Sequence, residues 1–381
     1  MKCNGFDLSR GEAIEISFSK TIESVEPLFT PLPEEIFIAP GWIDLQVNGF
    51  GGVDYNSPLA TTGEIAASLN KMFATGVTRL FPTVITGSPE RMRAALRNLA
   101  LALAQGKDAV PAIEALHLEG PYLSPEDGPR GAHPREWIRP PDWDEFRRFQ
   151  DAAQGHIRLV TLSPEWPGAT AFIERLAGQG VAVGIGHTAA NSEQIARAVS
   201  AGATLSTHLG NATHPSLPKF PNYLWDQLAD DRLAASFIVD DFHLAPAFLR
   251  VALKAKGLDR CLLVTDAVAP AGCAPGPYEL GEVPVELHAD QSVRLRGGTR
   301  LAGSALQMHH ALSNVIRIAH LSLRDAVTLA TRNPARVGRI AGRQRGLNPG
   351  ERADLVRFRF HNCEFQILET FIGGTLVYRN Q

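Results

Sequence analysis

The chain has 381 residues, enough for roughly two or three ordinary domains, or for one large α/β barrel with a small companion domain. A hydrophobic fraction of 44% and a charged fraction of 20% are typical of globular proteins and exclude a disordered chain. The net charge of −3 and the absence of a basic stripe make nucleic acid and anionic membranes poor partners.

The first residues and the cysteines together indicate the cytoplasm. Residues 1–16 include polar and acidic residues where a signal peptide needs an apolar stretch. The apolar run at 98–104 is too short to cross a membrane. The four cysteines have no paired or C-x-x-C spacing, as expected in a reducing compartment; they are Cys3, Cys261, Cys273 and Cys363. We therefore expect a cytoplasmic protein without a membrane partner.

The two ends of the chain predict β-structure. Residues 1–39 form short alternating segments with turns between them, and residues 344–381 contain hairpin-like strands separated by Gly-Gly. We predict that both ends form one small β-sandwich domain, and that residues 40–343 form the other domain.

Eight apolar or β-branched segments alternate with helical segments between these ends. Most are continuous apolar runs, which are typical of parallel strands covered on both faces. Eight such repeats favour an α/β fold with a (β/α)8 TIM-like barrel over a doubly wound sheet, the nearest alternative. The predicted strands are 42–47, 77–84, 112–118, 157–162, 181–186, 203–209, 234–239 and 261–265.

Two of the intervening helices have clear start signals, and one insertion follows the last strand. Ser88 is a candidate cap for a helix over 88–106. Asn191, with Gln194 three residues later, fits a capping box. Residues 277–300 predict an inserted hairpin.

Polar residues follow four of the predicted strands: Glu119 the third, His187 the fifth, His208 the sixth and Asp266 the eighth. In such a barrel the loops after the strands meet at one mouth, so these side chains should lie close together. Each one alone could be a structural residue, a hydrogen-bonded histidine or a loop-capping carboxylate. Four at matching barrel positions predict a site.

Two neutral histidines and one glutamate are a ligand set that holds Zn²⁺ with one tetrahedral position left for water. Such an ion lowers the pKa of bound water towards ~7 and polarises a substrate carbonyl. A carboxylate that is not a ligand can take the proton of the water and pass it to the leaving group. Asp266 is the candidate for that role.

The first and fourth strands predict how many ions are held. Barrel hydrolases with two metals carry His-x-His at the end of the first strand, where this chain has Gln46 and Asn48. The fourth segment, 157–165, has no lysine that could be carbamoylated to bridge two ions. We therefore expect one divalent ion, with Zn²⁺ as the best candidate.

Longer motifs extend through most of the chain, from about residue 36 to 378. They are PGWIDLQVNGFGGVDYN (40–56), HLEGPYLSPEDGPRGAHP (117–134), GHTAAN (186–191), THLGNA (207–212), LVTDAVAPAG (263–272), LAGSAL (301–306), NPARVG (333–338) and GLNPGERADLV (346–356). In this order they resemble the N-acetylglucosamine-6-phosphate deacetylase family of the amidohydrolase superfamily.

The resemblance implies zinc-dependent removal of the acetyl group from N-acetyl-D-glucosamine 6-phosphate in amino-sugar catabolism. It implies Glu119, His187 and His208 as zinc ligands and Asp266 as the general acid and base. It also implies a homodimer.

Six further residues are implied to bind substrate. The resemblance assigns His133 to the scissile carbonyl, and His243 to the sugar. Gln46 would line the pocket beneath the sugar or water. The 6-phosphate is assigned to Asn211, Ala212 and Lys219.

Departures from the family motif bear on the substrate. Gly210 stands where the family has an aromatic residue, and Thr213–Pro215 follow where it has methionine. Lys219 stands at the offset of the family's phosphate-binding arginine, often donated across a dimer, and offers a point charge without a bidentate fork. A different N-acyl amino sugar or an N-acyl amino acid therefore stays open as substrate. A non-catalytic barrel acting as a scaffold is the alternative of another class.

Overall fold

The amino-terminal strands form the start of a separate β-structure in the computed structural model, which describes residues 1–29, 32, 35–106, 111–343 and 345–380. They are β1 (Lys2–Asp7), β2 (Glu12–Phe18), β3 (Ile22–Pro27) and β4 (Phe37–Pro40). β1, β2 and β3 pair antiparallel in sequence order, whereas β4 pairs parallel with β1. Buried and less buried side chains alternate along β1 and β2, so one face covers a core.

A parallel barrel follows, and it contains all eight predicted strands. The barrel strands follow one another in the sheet in the order in which they occur in the chain, which confirms the predicted (β/α)8 barrel. A two-stranded hairpin over residues 49–54 lies outside it. The bounds are β5 (Trp42–Val47), β6 (Gly49–Phe50), β7 (Val53–Asp54), β8 (Val77–Ile85), β9 (Leu116–Glu119), β10 (Ile157–Leu162), β11 (Ala182–Ile185), β12 (Leu205–Ser206), β13 (Ala234–Phe237) and β14 (Cys261–Leu263).

The first and last barrel strands are joined by contacts just beyond β14. Val47 and Ala267 form a parallel bridge. Asp44 on β5 accepts hydrogen bonds from the hydroxyl of Thr265 at 2.5 Å and from its backbone N–H at 3.2 Å. Burial raises the pKa of Asp44 to about 7, because the charged form is poorly solvated there. These contacts close the barrel at the end where the predicted site lies.

The helices surround the barrel and include both predicted starts. Ser88 accepts a hydrogen bond from the backbone N–H of Arg91 at 3.3 Å, and Asn191 and Gln194 form the expected capping box. Short 3₁₀ helices cover Phe73–Thr75, Arg135–Trp137 and Leu258–Arg260. The α-helices are α1 (Thr62–Met72), α2 (Pro89–Gly106), α3 (Trp143–Ala152), α4 (Ala169–Gly178), α5 (Ser192–Ser200), α6 (Tyr223–Ala229), α7 (Pro246–Lys256), α8 (Met308–Ala319), α9 (Leu323–Ala330) and α10 (Arg332–Val337).

An antiparallel sheet is inserted after the barrel, where a hairpin was expected. Its three strands are β15 (Gly276–Leu280), β16 (Val283–Leu287) and β17 (Val293–Leu295). The third strand forms because the chain reverses again after β16, where the backbone N–H of His288 donates to the carbonyl of Ser292 at 2.9 Å.

The carboxyl-terminal strands complete the sheet that the amino terminus begins. They are β18 (Leu355–His361), β19 (Glu364–Ile372) and β20 (Thr375–Arg379), and the sheet order is β20-β19-β18-β4-β1-β2-β3. Both chain ends thus form one small sandwich domain, as predicted. The boundaries 1–39 with 344–381, and 40–343, stay predictions, and residues 344 and 381 lie outside the described residues.

A buried ion-pair network joins this domain to the barrel. Asp354 is 0% exposed, and its Oδ2 lies 2.8 Å from Nε of Arg79 on β8. Arg343 donates to the carbonyl of Asp354 at 2.9 Å and to that of Gly41 at 2.7 Å.

Polar side chains also form a hydrogen-bonded layer inside the barrel. His117 lies between the hydroxyls of Thr83 and Thr161, at 3.3 and 2.8 Å, and Thr161 contacts Thr207 at 2.8 Å. His117 is two residues before Glu119 on β9, so both side chains point to the barrel interior.

Among the helices of the described ranges, none has the length and apolarity needed to cross a membrane.

Candidate metal centre and active site

Three donor atoms converge at the mouth of the barrel. Oε1 of Glu119 lies 3.2 Å from Nε2 of His187 and 2.9 Å from Nε2 of His208, and the two nitrogens are 3.1 Å apart. Glu119 ends β9, His187 follows β11 and His208 follows β12. All three side chains are buried.

This geometry fits a divalent ion. The other ring nitrogen of His187, Nδ1, lies 2.9 Å from the carbonyl oxygen of Pro129, so in the neutral ring Nδ1 carries the proton and Nε2 presents a lone pair. Donor atoms this close need a positive charge between them, which either a shared proton or a metal ion provides. A tetrahedral Zn²⁺ with bonds of about 2.0–2.1 Å separates its ligand atoms by about 3.3 Å, close to the distances found.

The charge state of Glu119 also suits a ligand. Burial alone would raise the pKa of this carboxyl, but the rings of His187 and His208 hold it well below its ordinary value. His133 offers a further ring nitrogen within 4.8 Å of the donors of Glu119 and His187. The ligand atoms of Glu119, His187 and His208 lie within 3.2 Å of one another. This set is therefore more compact than the one in which His133 replaces His208.

Asp266, which follows β14, lines the same pocket. Its Oδ1 accepts a hydrogen bond from Nδ2 of Asn48 at 2.6 Å. Burial, and then the negative charge of Glu119, raise the pKa of Asp266 to about 7. The carboxyl is therefore fixed in orientation, and it exchanges a proton readily near neutral pH.

His133 and His243 line the pocket on either side of these groups. Nδ1 of His133 is 2.9 Å from the hydroxyl of Thr86, which leaves Nε2 for the pocket. Burial, and then His187 beside it, lower the pKa of His133 to about 3, so the ring is neutral. Nδ1 of His243 is 2.7 Å from Oδ2 of Asp240. Burial alone would lower the pKa of His243, but this carboxylate raises it.

The pocket has a volume of about 580 Å³ and is shaped by two loops that touch. A Cβ on Gly128 would lie 2.9 Å from the carbonyl oxygen of Thr213, so only glycine permits this approach. His214 contacts Glu126 across the loops at 2.9 Å and the hydroxyl of Tyr223 at 3.0 Å. The departure at Thr213–Pro215 thus has a structural use, because it ties the loops together.

Gly210 is likewise explained by its neighbours. Its φ is +98°, and an added Cβ would lie 2.4 Å from Cε1 of Phe248 and 2.8 Å from Cδ2 of Leu244. Asn211 and Ala212, which follow it, line the pocket.

Two of the residues expected to bind substrate do not line the pocket within the described part of the chain. Gln46 is 2% exposed and is not in the lining, whereas Asn48, two residues later, is. Lys219 is exposed on the surface, with Nζ 5.7 Å from the ring centre of Phe220. The other expected residues all line the pocket: Glu119, His133, His187, His208, Asn211, Ala212, His243 and Asp266.

Sequence reasoning did not assign a site role to four residues that the structure brings to the pocket or its walls. Asn48 was interpreted only as a missing metal ligand, and Arg300 was part of a predicted hairpin. Asp240 could have been found from its spacing, since it lies three residues before His243. Thr86 had no signal, because its contact with His133 depends on the fold.

Comparison with known proteins places the chain among deacetylases. No family model matches it. It is 32% identical over 354 residues to N-acetylglucosamine-6-phosphate deacetylase of Bacillus subtilis, covering 91% of this chain and 86% of that protein. It is 33% identical over 345 residues to N-acetylgalactosamine-6-phosphate deacetylase of a Shewanella species, covering 90% and 83%.

A solved structure gives the same relationship. It is an aspartate-to-alanine variant of N-acetyl-D-glucosamine-6-phosphate deacetylase from Mycobacterium smegmatis, in complex with N-acetyl-D-glucosamine-6-phosphate. Its TM-score is 0.88 at 31% identity, and the match covers 99% of each chain.

Proposed function

The chain belongs to the N-acetylglucosamine-6-phosphate deacetylase family, and on this premise we propose that it hydrolyses N-acetyl-D-glucosamine 6-phosphate to acetate and D-glucosamine 6-phosphate. It is a metal-dependent amidohydrolase rather than a barrel scaffold. The observation that carries the proposal is the meeting of three metal-binding donor atoms and a proton-accepting carboxyl in one pocket: Glu119, His187, His208 and Asp266.

The metal requirement follows from the donor set. Glu119, His187 and His208 would hold a single Zn²⁺, which, when bound, polarises the acyl carbonyl and makes water acidic enough to lose a proton near neutral pH. Asn48 is engaged with Asp266, and this supports one ion rather than two.

Asp266 moves the proton in this mechanism. Its carboxylate accepts the proton of the attacking water and then delivers it to the amide nitrogen as the C–N bond breaks. Delivery is required because an amine anion is too poor a leaving group to depart alone. The hydrogen bond from Asn48 to Oδ1 keeps the carboxyl in one orientation.

Two histidines orient the substrate. His133, neutral and held at Nδ1 by Thr86, donates from Nε2 to the oxyanion that develops on the acyl oxygen. His243, held by Asp240, contacts the sugar. The phosphate then lies towards Asn211 and Ala212.

The experiment is a measurement of acetate release from a panel of substrates. We expect kcat/KM to be highest for N-acetyl-D-glucosamine 6-phosphate, and much lower for unphosphorylated N-acetyl-D-glucosamine and for N-acetyl amino acids. A preference for an N-acetyl amino acid would reject the proposal, as would equal activity with and without phosphate.

N-acetyl-D-galactosamine 6-phosphate is the second candidate substrate, because the Shewanella relative named for that deacetylation is equally similar in sequence. The two sugars differ only in the orientation of the hydroxyl at C4. Both belong in the panel, and the ratio of their kcat/KM values assigns the preferred sugar.

We also propose a cytoplasmic homodimer. Lys219 lies outside the pocket of its own chain and beside the exposed ring of Phe220. Phe220 is 72% exposed, and Trp225 on the helix that follows is 51% exposed. This supports a second subunit that covers the aromatic side chains. The four cysteines are free, which supports a reducing compartment. Light scattering on the purified protein, before and after Phe220→Asp, tests the dimer.

A further inference from the structure

We propose that Arg300 provides the positive charge that binds the 6-phosphate of the substrate, within the same chain. The inference rests on the proposed function. Arg300 follows β17 of the inserted sheet, and it is the only lysine or arginine among the described residues that line the pocket. It is therefore a specificity-determining residue that the sequence motifs do not identify.

The position of Arg300 relative to the metal donors suits this role. Its Nη1 donates to the carbonyl oxygen of Gly131 at 3.3 Å. Gly131 adjoins the donors, because an added Cβ there would lie 3.1 Å from Cε1 of His187 and 3.7 Å from Cβ of Ala212. Arg300 thus contacts a residue that itself lies against His187 and Ala212.

This arrangement matches the shape of the substrate. In a 2-acylamino sugar 6-phosphate, the acyl group and the phosphate project from different parts of the sugar ring. With the acyl group at the buried donors, the phosphate lies towards the exposed mouth of the pocket, which Arg300 borders. The nearby Nδ2 of Asn211 is buried and has no hydrogen-bond partner among the described residues, so it remains available as a donor.

One carboxylate, that of Asp127, shares the mouth of the pocket with Arg300, and Arg130 first, then Arg135 and Arg300, lower its pKa. Asp127 also lines the pocket, but its Oδ1 is paired with Nη2 of Arg130 at 2.5 Å. Arg300 has no close ion pair within the described residues, and its Nη1 donates to the neutral carbonyl of Gly131. An incoming phosphate would therefore meet a guanidinium that keeps further N–H donors beside the one engaged with Gly131, and such a group binds phosphate oxygens in pairs.

The test compares Arg300→Ala with the wild type on N-acetyl-D-glucosamine 6-phosphate and on unphosphorylated N-acetyl-D-glucosamine. We expect KM for the phosphorylated sugar to rise by about 10-fold or more, as for loss of a charge-assisted contact. The value of kcat should change little, because the phosphate is bound alike in the ground and transition states. Activity on the unphosphorylated sugar should be unchanged, and Arg300→Lys should restore part of the preference.

The matched control is Arg296→Ala. Arg296 is also exposed at the inserted sheet and donates to one carbonyl, that of Tyr278 at 3.1 Å, but it does not line the pocket. It should behave as the wild type. Inhibition by the product D-glucosamine 6-phosphate provides a second measurement, and Arg300→Ala should weaken it by a similar factor.

Two results would overturn the inference. Equal losses on both sugars would mean that Arg300 only supports the loop at Gly131. An unchanged KM for the phosphorylated sugar would mean that the charge comes from elsewhere, with Lys219 of a second subunit as the next residue to substitute. A wild type that is inactive on both sugars would instead reject the proposed function.

Discussion

Three of the four strand-end side chains belong to residues with left-handed backbone. His187, His208 and Asp266 have φ values of 50°, 31° and 50°, in a region that residues other than glycine seldom adopt. Such conformations cost about 1–3 kcal/mol each and persist only where the surrounding structure enforces them. At these positions the chain leaves a strand and turns sharply, which directs the side chain into the pocket.

The first prediction at this scale concerns proton transfer. Asp266→Asn keeps the shape of the side chain but removes its ability to accept a proton, so kcat should fall by roughly 10²–10⁴-fold. Metal content, measured on the same samples, should be preserved. Asp241→Asn is the control, since Asp241 is exposed and pairs with Arg317 on the surface at 2.6 Å. A variant that loses its metal would show that Asp266 is a ligand.

The second prediction concerns metal content. The wild type should contain about one divalent ion per chain, since one set of converging donors is present in the described residues. Glu119→Gln removes the negative ligand and should release the ion during dialysis against a chelator that leaves the wild type loaded. Asn48→Ala should keep the ion and lower kcat, because Asp266 loses its orienting hydrogen bond. Two tightly held ions in the wild type would contradict the assignment.

At the scale of elements, the turn after β12 depends on a close contact with α7. Gly210 packs against Phe248 of that helix in a space too small for a Cβ. Gly210→Ala should lower the free energy of unfolding by about 2–4 kcal/mol, from backbone strain and overpacking together. Urea denaturation measures the loss.

Two variants separate the two causes. Gly155 has φ +79° with nothing within 4 Å of an added Cβ. Gly155→Ala should therefore lower the free energy of unfolding through backbone strain alone, by about 1–2 kcal/mol. In a Phe248→Ala background, Gly210→Ala should lower the free energy of unfolding by less than it does in the wild type. An equal cost in both backgrounds would show that Phe248 does not limit the space.

At the scale of the whole molecule, the barrel and the sandwich domain are held together partly by buried charge. The carboxyl of Asp354 lies among Arg79, Arg343 and Arg352. Burial alone would raise its pKa, but these guanidinium groups lower it. The two domains are therefore joined by buried charged side chains, and leaving one of these without its partner would destabilise the protein.

Asp354→Asn should destabilise the protein by roughly 3–5 kcal/mol at neutral pH, because it leaves buried arginines without their counter-charge. Since the pKa of Asp354 is lowered on folding, its contribution is complete above the unfolded value of about 3.9 and is lost as pH falls through the folded value. The difference in Tm between wild type and variant should thus narrow only below about pH 4. Asp290→Asn, at an exposed aspartate that accepts from Ser292, is the control. A difference in Tm between wild type and Asp354→Asn that already narrows between pH 7 and 5 would contradict this account.

The sequence by itself determined the barrel and the four strand-end residues. Continuous apolar runs identify parallel strands because both faces of each strand are buried, and this is a local property. The residue after such a strand is then placed at the mouth by topology alone. Glu119, His187, His208 and Asp266 could be grouped in this way before any distance was known.

Only the tertiary structure decided the rest of the pocket, because it depends on which loops meet. Gln46 and Asn48 lie around the end of β5, where strand alternation ceases to predict direction, and Asn48 is the one that reaches the lining. Lys219 has a suitable charge but lies on the surface, while Arg300 reaches the pocket through a third strand that the sequence pattern did not predict. The physical reason is that periodicity reports short-range burial, whereas the meeting of distant loops is fixed by long-range packing and by close approaches such as that at Gly128.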